Sequence, residues 1–79
     1  MKRQALTLER AVAAELRAWF ARTELPQERA AEVVGMHPNT LSRKLNGHSN
    51  FSLAEVDAVA TYLGTSAEVV IADARQRMA

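Results

Sequence analysis

The residues of this chain that could do chemistry gather in one stretch, "GMHPNTLSRKLNGHSN", residues 35–50. It holds amides, hydroxyls, basic groups and both imidazoles of the chain, with no carboxylate to pair them. On a helix turning about 100° per residue, Asn39, Ser42, Arg43 and Asn46 follow an i, i+3, i+4, i+7 pattern along one side, while Leu41 and Leu45 lie one turn apart on the other. The leucines must face a core, so the polar stripe faces outward. Asparagine can pair in bidentate fashion with adenine, arginine with guanine, and serine with bases or phosphates, which is how a major groove is read. The chemistry expected is therefore recognition by directed hydrogen bonds. No nucleophile–base set, carboxylate pair or phosphate-cradling loop points to an enzyme, and no catalytic residue is expected.

An outward helix face is ordinarily just solvated, and such faces mix glutamate with lysine at i, i+4. This one contains no acid. Glu9, Glu15, Glu24, Glu28 and Glu32 precede it and Glu55, Asp57, Glu68 and Asp73 follow, whereas Arg43 and Lys44 stand between Glu32 and Glu55 with no acid among them. The net charge of +1 thus hides a local positive field. A surface that meets phosphates avoids carboxylates, because each would repel the polyanion.

The remaining composition narrows the field. With 79 residues the chain is expected to be one domain, 1–79, of a size at which a single core rarely supplies more than about 3–5 kcal/mol, so a large catalytic cleft is not expected. The absence of cysteine excludes disulfides and thiolate metal sites. His37 and His48 lack the close spacing of a helical metal pair, so neither metal nor cofactor is expected. No apolar run approaches the roughly 20 residues of a membrane span, and the start "MKRQALTLERAV" lacks the apolar segment of a signal peptide. A cytoplasmic protein without a membrane partner is the expectation.

The elements that must position the stripe are all helical. Abundant Ala, Leu, Arg and Glu and few glycines favour helix. Leu8, Val12, Leu16, Trp19 and Phe20 after Thr7 predict a helix over about 8–22. Pro26 is expected to stop it and to suit the first turn of the next, about 27–34, where Ala30, Ala31 and Val34 share a side and small alanines permit close crossing. Gly35 ends that helix, Pro38 starts a third over about 38–46, and Gly47 ends it. "SLAE" at Ser52–Glu55 has the form of a capping box, with Leu53, Val56, Ala60 and Leu63 on one face before Gly64. A second box, Thr65–Glu68, is expected to open a fifth helix over 66–77. Residues 1–6 read as a flexible, basic arm. Trp19, Phe20, Phe51 and Tyr62 are too scattered for a single-strand stacking platform and are assigned to packing.

Within these boundaries Gln27–Gly47 resembles the helix-turn-helix of the lambda-repressor-like (Xre) family of DNA-binding domains. The pattern is carried by Gln27, Ala31, Gly35, Met36 and Leu41, and the similarity continues through "NGHSNFSLAEVDAVATYLGTSAEVV" to cover nearly everything after Leu6. It implies a five-helix all-α domain whose helix-turn-helix, 27–46, presents the third helix to duplex DNA. Asn39 and Arg43 are the leading base readers, with Ser42 beside them and Pro38 limited to an apolar contact such as a thymine methyl. The resemblance implies phosphate contacts from Gln27, His37, Thr40, Lys44, Asn46, His48 and Asn50. Three positions depart from the family: Lys44 stands where an apolar residue is common, His37 replaces the usual small N-cap, and Pro38 stands where related proteins often extend a polar side chain to a base. Protonated His37 and His48 are expected to favour DNA.

"AEVVIADARQRMA" carries more apolar surface than a terminal helix needs. A homodimer through Val70, Ile71, Ala74 and Met78 is expected, reading a pseudo-palindrome with half-sites about one helical turn apart. The reading is a sequence-specific regulator, a repressor of bacterial or phage type, with double-stranded DNA as partner and no small-molecule ligand. The alternative is a protein-interaction module, an antitoxin or adaptor, that uses the terminal helix.

Overall fold

Four of the five helix starts in this chain are made by side chains that satisfy the first free N–H groups, and left-handed backbone closes several helix ends. In the computed structural model, which describes residues 6–79, the Thr7 hydroxyl accepts from the Arg10 N–H at 3.2 Å and opens α1 (Leu8–Thr23). The helix stops before Pro26 is reached. Glu24 takes left-handed backbone, φ 57°, and its N–H donates to the Phe20 carbonyl at 2.9 Å. Pro26 consequently falls one position earlier than expected and is the N-cap of α2 (Gln27–Val34). The proposed arm of residues 1–6 lies, Leu6 apart, outside the described residues.

The turn after α2 closes through two backbone bonds, from the Gly35 N–H to Glu32 and from the Met36 N–H to the Ala31 carbonyl at 2.8 Å. That geometry requires the left-handed φ of 73° that glycine adopts without strain. His37 then caps α3 (Pro38–Leu45): its Nδ1 accepts from the Asn39 N–H at 3.1 Å, and Pro38 occupies the first turn, where a missing N–H costs nothing. The Ser52–Glu55 capping box is present in both directions and opens α4 (Leu53–Tyr62). The second box is not used. Thr65 donates its N–H to the Ala60 carbonyl in finishing α4, so Ser66, one residue on, becomes the cap of α5 (Ala67–Met78) and accepts from Val69.

These five helices, without a strand among the described residues, enclose one core. α1 lies along α5 and also touches α3, while α2 packs on α3 and α4 and α4 on α5. Leu16, Leu41, Leu45, Val59 and Val70 are its largest fully buried side chains, and wholly buried Ala30 and Ala31 let α2 approach its neighbours closely. Phe20 is buried, with its ring 6.5 Å from that of Tyr62, and Tyr62 Oη donates to the Pro26 carbonyl at 3.0 Å. Glu15 is buried between α1 and α5, where Arg77 Nε donates to it at 2.8 Å and Arg22 lies 3.7 Å away.

The tight α1–α5 packing corrects the dimer assignment. Val70 and Ala74 are both 0% exposed inside the protomer, so neither can meet a second copy. Ile71 is half-buried and Met78 exposed, and these two alone of the four remain at the surface. Among the described residues no helix is long and apolar enough to cross a membrane.

Candidate nucleic-acid interface

The outward side of α3 is what its periodicity demands. Leu41 and Leu45 point into the core, and Pro38, Asn39, Thr40, Ser42, Arg43 and Asn46 are exposed. Within the described residues the side chains of Asn39, Thr40 and Arg43 have no hydrogen-bond or ionic partner, so their donors and acceptors face water. Unlike an ordinary solvated face, this one lacks a carboxylate of its own that would satisfy the arginine. Asn46 differs. Its Nδ2 donates to the Ser42 carbonyl at 2.9 Å and lies 3.5 Å from the Ser42 hydroxyl, so its amide partly caps its own helix and its Oδ1 is what remains for a partner.

The residues assigned to phosphates occupy the two ends of the helix pair. Gln27 is exposed in the first turn of α2, where Pro26 supplies no side-chain cap, leaving the leading N–H groups open to an anion. Glu28 and Glu32 share that helix, but Glu32 is paired with Arg29. His37 is exposed and its Nδ1 is engaged by the α3 cap, which leaves Nε2 as the nitrogen able to meet a phosphate. His48 and Asn50 are exposed in the loop between α3 and α4.

Lys44 departs most from its assignment. Its side chain is 16% exposed, and its Nζ donates to Glu55 Oε1 at 2.9 Å and to the Asn50 carbonyl at 3.0 Å. An ammonium has three N–H donors, and two are engaged within the chain. Glu55 is ionised more readily for it: hydrogen bonds from Lys44 and then from the Ser52 N–H hold its carboxyl below the ordinary value of 4.5, against a smaller opposing push from burial.

A model of the family described as "Helix-turn-helix domain" matches residues 11–72. The chain belongs to that family. A solved structure of the clp gene regulator ClgR from Corynebacterium glutamicum is 28% identical, with a TM-score of 0.86, over 99% of this chain and 100% of that one. A second structure of the same regulator, also 28% identical, gives a TM-score of 0.84 over 91% of this chain and 77% of that one. No curated protein matches the chain.

One residue that steadies the end of α3 has no local signal. The guanidinium of Arg17, on α1, donates to the Leu45 carbonyl at the C-terminal end of α3. It places positive charge where the helix dipole is negative and satisfies a terminal carbonyl. The two residues are 28 apart in sequence, so neither periodicity nor spacing could have joined them. Elsewhere, Leu53, Ala54, Ala67 and Ile71 line an open apolar trough between α4 and α5 with Asp57 and Glu68 at its rim, and Leu53 there is 69% exposed.

Proposed function

We propose that this protein is a DNA-binding transcriptional regulator that reads duplex sequence with the outward face of α3. The observation that carries the reading is the run of exposed side chains of Asn39, Thr40 and Arg43, without a partner among the described residues, on a helix whose opposite side is anchored by Leu41 and Leu45. Membership of the helix-turn-helix family and similarity to a clp gene regulator support it. Docked in the major groove, Arg43 forks onto a guanine edge and Asn39 onto an adenine edge, with Ser42 beside them and Pro38 against a thymine methyl. Gln27, His37, Thr40, Asn46, His48 and Asn50 hold register through phosphates. Its work is binding, not catalysis: occupancy of the site blocks polymerase, which makes it a repressor.

The chain acts as a homodimer on a pseudo-palindrome. The half-buried Ile71 and exposed Met78 of α5, together with the trough lined by Leu53, support this over a monomer, because an apolar surface of that kind is ordinarily covered. The same trough would serve the adaptor alternative, in which a different protein covers it.

Selection from a random duplex library tests the reading. A single enriched motif with two-fold symmetry is the expected result. Failure to enrich any motif, together with no complex on assorted duplexes at modest ionic strength, would refute it.

A further inference from the structure

Lys44 and Glu55 belong to elements that hardly touch otherwise, since α3 packs chiefly on α1 and α2. Their ion pair spans the loop 46–52, and the same ammonium also holds that loop at the Asn50 carbonyl. Glu55 Oε1 accepts a second hydrogen bond, from the Ser52 N–H at 2.8 Å, at the point where the loop becomes α4. One carboxylate oxygen therefore joins the C-terminal end of α3, by way of Lys44, to the first residue of the next helix cap. The other side of α3's end is held by Arg17 on the Leu45 carbonyl.

We infer that Lys44 and Glu55 form an internal clasp that sets where the 46–52 loop stands relative to the outward face of α3, making both positioning residues for sequence-specific binding. This deepens the DNA-binding reading and rests on it. His48 and Asn50 sit on the loop, Asn39 and Arg43 on the helix, and specificity requires both groups to meet the duplex in one register. Loosening the clasp lets phosphate contacts form out of register with the base contacts, so discrimination is lost before affinity for DNA as such.

The test compares K44M, E55Q and the double variant in the full chain. Glutamine keeps an acceptor for the Ser52 cap while removing the charge, so E55Q weakens the clasp by its ionic part and spares the capping box. The ratio of affinity for the selected site to affinity for random duplex is expected to fall about three- to tenfold in each single variant, and no further in the double, as for two members of one interaction. If Lys44 instead binds phosphate, K44M lowers both affinities alike, leaves the ratio unchanged and reduces the slope of log affinity against log salt by about 0.9, and E55Q leaves the ratio untouched. That pattern overturns the proposal.

A second measurement needs no DNA. Backbone order parameters of residues 48–51 are expected to drop from about 0.85 toward about 0.6 in both single variants. Unchanged order parameters also overturn the clasp. A wild-type chain that binds no duplex would overturn the proposed function, and the order parameters would still decide the clasp.

Discussion

At the scale of single residues, three side chains carry separable consequences. Arg43 is exposed and has no partner among the described residues, so its removal leaves no buried charge behind and its loss is felt by a ligand. Arg43→Ala is expected to weaken the selected site by about 1–3 kcal/mol and to relax preference at one base position, read by competition among single-base variants of the site. His37 acts through its cap. His37→Ala is expected to lower stability by about 0.5–2 kcal/mol in urea unfolding, and His37→Asn, which restores an acceptor at the N-cap, to recover most of it. Glu55 gives a pH dependence. Its carboxyl in the folded protein lies below its ordinary value, held there chiefly by Lys44. The unfolded chain therefore takes up the proton first as pH falls. The stabilisation is complete above the ordinary carboxylate range and is lost as pH drops through the lowered folded value. Urea unfolding at about pH 6 and about pH 3.5 should show a smaller loss of stability on acidification for E55Q than for the wild type.

At the scale of elements, the turn between α2 and α3 sets the angle at which the recognition surface is offered. Gly35 makes it with left-handed backbone, and a Cβ added there would meet nothing within 4 Å. The strain of a substitution is thus purely conformational. Gly35→Ala is expected to lower stability by about 1–2 kcal/mol in urea unfolding, with helical circular dichroism of the folded state unchanged. The short length of α3, eight residues, makes it marginal alone. His37 at its start, Arg17 and the Lys44–Glu55 pair at its end, and two buried leucines on its inner side are what hold it as a helix.

At the scale of the whole molecule, the α1–α5 contact determines which surface is left for a second copy. Val70 and Ala74 belong to the core, so Val70→Ala should cost about 2–3 kcal/mol of stability at any protein concentration. Ile71→Glu changes a half-buried position at the edge of the trough. On the proposed homodimer, sedimentation is expected to show a dimeric wild type and a monomeric variant, with weaker binding of the variant to a two-half-site duplex and little change on a single half-site.

Much of this protein could be read from its residues in order. Helix boundaries follow from local matters, Thr7 and Ser52 as caps, Gly35 and Gly47 as stops and 3.6-residue spacing between, and each depends on atoms a few positions apart. The outward direction of Asn39 and Arg43 follows likewise from Leu41 and Leu45 on the same helix. Three-dimensional packing decided the rest. Thr65 looked like a cap until the end of α4 claimed its N–H. Lys44 looked free in a stretch without acids until Glu55, eleven residues on, folded back to it. Val70 and Ala74 looked like surplus apolar surface until the core enclosed them. Spacing along a helix determines which face a residue occupies, but which other segment meets that face is a long-range choice made by the burial of the entire core.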